Sequence, residues 1–187
     1  MISSAEREES VMKSSGKKLM SNNDGFTLIE MMIVLVIVAL VLLLVPPGMA
    51  QLSLSTNLKS YSHEMLSSIY LARSEAIKRN TPVTLCVSTD GATCAGAGDW
   101  EQGWIVRAPD GTVIKNNQSI SPGFRMTSDA AAPAKHTMVF QPSGIASTSS
   151  NITVCRKLPK AGNQEKQVRV TATGKARLTT TTTGTCA

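Results

Sequence analysis

Aromatic residues are scarce in this 187-residue chain, at 4% of positions. That argues against a base-stacking surface built from many rings. Histidine occurs only as His63 and His136. Neither is placed near a cysteine or serine by a recognisable catalytic motif. The glycine patterns of phosphate loops and dinucleotide sites are absent, and so is any repeat of roughly 20–50 residues. No enzyme and no cofactor are expected. Charged residues make up only 17% of the chain, but 42% are apolar and the mean hydropathy is zero, which excludes a mainly disordered polyelectrolyte. The length suits one domain plus an appendage.

What is present is unevenly distributed. Residues 1–25 are polar, with Arg7, Lys13, Lys17 and Lys18 balanced by Glu6, Glu8, Glu9 and Asp24. From Phe26 to Val45 only Thr27 and Glu30 are polar. Acids and bases cancel again as far as Val154. From there Arg156, Lys157, Lys160, Lys166, Arg169, Lys175 and Arg177 face Glu165 alone, so the whole net charge of +6 sits near the C-terminal end. A basic segment of this kind points to an anionic partner, or to a solvated surface.

The four cysteines all follow the apolar run, and their even number favours two disulfides. Cys86 and Cys94 flank the turn-like Thr89-Asp90-Gly91, which makes a local bridge the cheapest pairing and leaves Cys155 for Cys186. Two other pairings remain open. No pair has the two-to-four-residue separation of zinc ribbons and fingers, so no metal site is expected.

Twenty apolar residues in a helix span roughly 30 Å, the thickness of a bilayer's hydrocarbon core. Lysines precede the run and Pro46-Pro47 follows it, which favours a retained membrane segment with its N-terminal side in the cytoplasm. Glu30 is the exception. A carboxylate at that depth costs about 2.5–3.5 kcal/mol and demands a partner or a proton. A free amine at Phe26, created by cleavage just before it, is one such partner.

Asp24-Gly25-Phe26-Thr27-Leu28-Ile29-Glu30, followed by the long apolar run, resembles the class III signal of type IV pilins and type II secretion pseudopilins. The resemblance implies cleavage between Gly25 and Phe26 by prepilin peptidase and N-methylation of Phe26. It also implies an assembly role for Glu30, pairing with the amine of a neighbouring subunit.

Beyond the prolines, Leu54, Leu58, Tyr61, Met65, Ile69, Ala72 and Ala76 recur at helical spacing, and Asn80-Thr81-Pro82 ends the pattern. Pro46-Pro47 should bend or locally melt the helix between its two halves. Strands are expected at 82–87, 103–107, 112–114, 124–127, 137–141, 152–156, 167–171 and 177–183. Pro109-Asp110-Gly111 signals a hairpin. Trp100 and Trp104 read as a loop anchor and a core strand residue rather than as base-stacking rings.

Several stretches of this region resemble the GspH/FimT group of minor pilins and pseudopilins: Cys86 to Cys94 through Ser88 and Asp90-Gly91, Asp99-Trp100 with Gly103-Trp104, and Phe140-Gln141-Pro142-Ser143-Gly144. Gly174-Lys175-Ala176-Arg177 stands where FimT-like members carry a G-R-x-R motif associated with DNA binding. Here lysine replaces the first arginine, keeping the charge but losing the planar fork. The resemblance implies an α+β, pilin-like fold in which a long N-terminal helix packs on an antiparallel β-sheet domain. The expected division is a cleaved leader (1–25), a membrane and assembly helix (26–47), an amphipathic helix (48–80) and a β-rich periplasmic or extracellular domain (81–187).

The implied partners are other pilins, prepilin peptidase, the inner membrane before assembly and double-stranded DNA. The implied function is that of a minor type IV pilin at the pilus tip, taking part in pilus assembly and binding DNA non-specifically through its basic C-terminal region for uptake in natural transformation. The other reading is a type II secretion pseudopilin without DNA binding. The candidate DNA contacts are Arg156, Lys157, Lys160, Lys166, Arg169, Lys175 and Arg177.

Overall fold

The computed structural model describes residues 25–44, 46–157, 165–181 and 186. The chain forms two compact units, 1–44 and 45–187. The first contains helix α1 (Leu28–Leu44). Thr27 caps it: the Glu30 amide donates to Thr27 Oγ1 at 3.3 Å, and the Met31 amide donates to the Thr27 carbonyl at 3.2 Å. Glu30 thus lies in the first turn, where the helix dipole favours a carboxylate. Every residue from Leu28 to Leu42 is exposed. A helix that is apolar on all sides calls for surroundings of lipid or other apolar helices.

The 17 residues of α1 rise about 25 Å, short of the roughly 30 Å of a hydrocarbon core. Among the described residues no helix is long and apolar enough to cross a membrane. The expected segment 26–47 exceeds α1 because the Thr27 cap delays the helix to Leu28 and Val45 lies outside the described residues.

The second unit opens with helix α2 (Pro46–Arg79). Pro46 and Pro47 occupy its first turn, where amide hydrogens would have no intrahelical acceptor, so they start this helix at no hydrogen-bond cost. The spaced stripe is its buried face. Leu58, Met65, Ile69, Ala72 and Ala76 are fully buried, with Leu54 and Tyr61 partly so. Two serines absent from the expected stripe, Ser62 and Ser68, are buried too. Each returns its hydroxyl to the carbonyl four residues back, Leu58 at 2.6 Å and Glu64 at 2.8 Å. Asn80 ends the helix in the left-handed region at φ 52°.

Eight strands follow: β1 (Val83–Val87), β2 (Trp104–Arg107), β3 (Val113–Asn117), β4 (Phe124–Ser128), β5 (Thr137–Phe140), β6 (Ser150–Arg156), β7 (Glu165–Val170) and β8 (Ala176–Thr181). They match the eight expected strands, with ends that coincide or move by up to three residues. They form two antiparallel four-stranded sheets, ordered β3-β2-β1-β5 and β4-β6-β7-β8. Helix α2 touches strands of both, so one core serves the whole unit. Trp104 is fully buried in it, and its indole donates to Ser68 Oγ at 3.0 Å. A larger residue at position 68 would push helix and sheet apart.

Candidate functional site

The residues expected from the sequence to serve processing and assembly fall together at the head of α1. Gly25, Phe26 and Glu30 are all exposed, Phe26 by 73%. An apolar ring so open next to a capped helix start is accessible to an enzyme or to a neighbouring chain.

Two disulfides brace the second unit, Cys86–Cys94 and Cys155–Cys186. These are the pairs that the sequence favours among three. The first closes a loop organised by Asp90. Its carboxyl is held well below the usual carboxylate range, first by the Thr93 hydroxyl at 2.6 Å and then by the Thr93 and Ala92 amides and the Ser88 hydroxyl.

The six described members of the basic set do not form one patch. Arg156 stacks on the Phe124 ring at 4.8 Å, at the far end of β6, with exposed Lys157 beside it. Lys166 donates to Thr180 Oγ1 at 2.6 Å. Lys160 lies outside the described residues. At the opposite end of the sheet, about 20 Å along the strands, Arg169, Lys175 and Arg177 come together and all are exposed. Arg169 and Arg177 stand directly opposite each other on β7 and β8. Like charges in that position are destabilising unless an anion lies between them.

These three residues line an open groove of about 840 Å³ together with Tyr70 and Arg73 of α2. Among the described residues no carboxylate lines it. Arg73 was not among the sequence candidates, although a signal existed. It stands four residues after Ile69 and three before Ala76, a charge at the spacing of the buried stripe. Its Nε donates to the Gly144 carbonyl at 2.9 Å, and Tyr70 donates its hydroxyl to the Ala176 carbonyl at 2.7 Å. These two bonds tie the helix to the 141–146 turn and the β7–β8 hairpin. The tryptophans stay out of the site. Trp100 is 1% exposed and donates to the Lys135 carbonyl at 2.9 Å.

A family described as "Type II transport protein GspH" matches residues 62–174, more than half of the chain. The "Prokaryotic N-terminal methylation motif" matches residues 20–46. No curated protein matches. Among solved structures the chain is similar to the type IV minor pilin FimU of Pseudomonas aeruginosa strain PAO1, in two crystal forms. Each has a TM-score of 0.51, with 14% and 15% identity, covering 65% and 66% of this chain and 91% and 89% of FimU. It is also similar to the minor pseudopilin EpsH of the Vibrio cholerae type 2 secretion system, with a TM-score of 0.48 and 15% identity, covering 65% of this chain and 95% of EpsH. The likeness to FimU speaks for the fold: a helix packed on antiparallel sheets, the pilin-like α+β arrangement.

Proposed function

The chain belongs to the GspH family of type II transport proteins and is a minor pilin of the GspH/FimT type, and from that premise we propose that it stands near the tip of a type IV pilus and binds double-stranded DNA for uptake. A minor pilin or pseudopilin associates with other pilins, and the methylation motif makes this one a substrate of prepilin peptidase. On this reading cleavage falls between Gly25 and Phe26, and the new Phe26 amine is methylated. Glu30 pairs with the amine of an adjacent subunit inside the filament. Before assembly the segment 26–47 holds the chain in the inner membrane, with residues 81–187 on the periplasmic side.

The observation that carries DNA binding is the groove at the β7–β8 end, where four cations and, among the described residues, no carboxylate gather around one opening. Contacts from lysine and arginine to phosphates give sequence-independent, salt-sensitive binding, which suits a receptor that must accept any DNA. The test is titration of the protein with duplex DNA at two salt concentrations. Binding should weaken sharply with salt, and Lys175→Ala with Arg177→Ala should reduce it. Binding indifferent to salt, or unaffected by the double substitution, removes this reading.

A second reading rests on the family match itself, which carries the type II transport description. The same scaffold then serves as a secretion pseudopilin, its basic groove packing against an acidic neighbour. Gene deletion separates the two. Lost transformation with secretion intact supports the pilus reading, and lost secretion supports the other.

A further inference from the structure

Arg73 is the one cation of the groove that comes from the helix and not from the basic C-terminal segment. Its position on the stripe would ordinarily hold an apolar residue, because an unpaired guanidinium is costly against a core. The surroundings are shaped to receive it. Gly144 and Gly174 both lie in the left-handed region, at φ 78° and 73°. A Cβ on Gly174 would collide with the Gly144 carbonyl oxygen, and a Cβ on either glycine would come within 3.1 Å of Arg73 Nε. Two turns thus meet backbone to backbone, and the guanidinium lies across the junction.

The bond to the Gly144 carbonyl occupies one of five N–H donors on the guanidinium. No ion pair within the described residues involves Arg73; the acids that pair there take Lys78, Arg79, Arg125 and Lys135.

We propose that Arg73 is a fourth phosphate-binding cation of the groove, acting with Arg169, Lys175 and Arg177, so that the footprint on a duplex is four phosphates gripped from helix, strand and turn. The inference rests on the nucleic-acid reading above and adds to it a residue, a contact number and an orientation. Cations arranged around a concavity fit the convex backbone of a duplex better than a flat bilayer. A guanidinium steadied through Nε keeps its outer edge free for two phosphate oxygens.

The test uses the full chain in neutral detergent, a fluorescent duplex and a salt series. Each phosphate contact contributes about 0.9 to the slope of log affinity against log salt, so four contacts give a slope of about −3.6. In Arg73→Gln the side-chain amide still reaches the Gly144 carbonyl, but the charge is gone. The slope should flatten to about −2.7, with a several-fold loss of affinity at low salt and an unchanged thermal midpoint. Arg73→Lys, which keeps the charge, should hold the wild-type slope. So should Lys115→Gln on β3, away from the groove.

A wild-type slope in Arg73→Gln overturns the proposal, as does an equal flattening in Lys115→Gln, which would assign the effect to net charge. Modification of arginine by phenylglyoxal, read by mass spectrometry, checks the contact without any substitution. Duplex should protect Arg73, and an Arg73 that stays equally reactive overturns the proposal. Loss of binding to phosphatidylglycerol vesicles but not to duplex in Arg73→Gln would make the partner a lipid surface and overturn it. Displacement of duplex by inorganic phosphate at constant ionic strength would assign the site to the free ion and overturn it too. If Lys175→Ala with Arg177→Ala weakens duplex binding while Arg73→Gln does not, only this inference falls. If wild-type protein binds no duplex, the parent reading falls with it.

Discussion

Around the single-turn helix Trp100–Gln102, Glu101 pairs with Arg125 at 3.2 Å and Asp99 pairs with Lys135 at 3.0 Å. Around the β7–β8 hairpin, Arg73, Arg169, Lys175 and Arg177 share an open groove that no carboxylate lines among the described residues. Both regions lie at sheet margins and both carry cations. In the first, each cation has an acid from a distant part of the chain: Glu101 fastens the single-turn helix to strand β4, and Asp99 fastens one loop to another. In the second, two arginines face each other across adjacent strands, an arrangement that works against the fold. A charge paired within the chain is a fastening, whereas charges held together without partners point outward, to a ligand.

The contrast is broken most severely by removing the turn that gathers the cations. Gly174→Ala would place a side chain at φ 73° and drive its Cβ into the Gly144 carbonyl. Left-handed strain alone costs about 1–3 kcal/mol, and the overlap adds to it by forcing the 141–146 turn away from the hairpin. Thermal unfolding should show a clear fall in midpoint, and duplex binding should be lost because Arg73 and Lys175 no longer share a groove. An unchanged midpoint would contradict the close approach of the two turns.

Next in size is the direct removal of charge. Lys175→Ala with Arg177→Ala should cut duplex affinity at least about tenfold at low salt, equivalent to about 1.4 kcal/mol, and flatten the salt slope by about 1.8. Thermal stability should hold or rise slightly, since Arg169 loses its like-charged opposite. Fluorescence anisotropy and a thermal melt on the same preparation check both halves. Falling stability alongside falling affinity would mean that these residues are fastenings too.

How much of this the sequence carries follows from which signals are local. The helical stripe on α2 and the strand positions are legible because burial imposes period and β-branching on neighbouring residues. Ser62 and Ser68 escape that reading, because a serine that bonds its own preceding turn is polar in composition but small and satisfied in the core. The basic segment is legible as a charge imbalance, yet its division into two ends of a sheet is not. Arg156 and Arg169 are close in number, and strand direction carries them far apart. Arg73 is the reverse case, distant in number from Lys175 and adjacent in space. Only the pairing of helix, turn and hairpin brings it in, and a single sequence does not encode that pairing as a pattern.

A smaller effect comes from the Asp90 loop, which belongs to the paired kind of region. Its carboxyl titrates well below the ordinary value of about 4 because the Thr93 hydroxyl and neighbouring amides bind the charged form. A depressed value in the folded state adds stability above the ordinary value, and that stability is lost as pH falls through the folded value. Thermal midpoints of the wild type should therefore drop with acidification below about pH 4 more steeply than those of Asp90→Asn. Equal slopes would mean that the loop draws nothing from this carboxylate. Duplex binding near neutral pH should be the same in both proteins.

The smallest expected change is the one that isolates place from charge. Arg125→Gln removes one positive charge, as Arg177→Ala does, but from a pair already matched. The two partners of that pair are half-buried, 39% and 18% exposed, so the pair lies toward the upper end of the roughly 0–1 kcal/mol that surface pairs contribute. Glu101 is not left stranded, because Glu101 Oε2 still accepts the Met126 amide at 3.1 Å. A thermal midpoint lowered only slightly is therefore expected, with the duplex salt slope of the wild type. If Arg125→Gln flattened that slope as much as Arg177→Ala, the duplex would be sensing total charge and the groove would have no special standing. If it left the slope alone while Arg177→Ala flattened it, two substitutions of equal charge would differ by location alone, and location is what the unpaired arrangement of cations encodes.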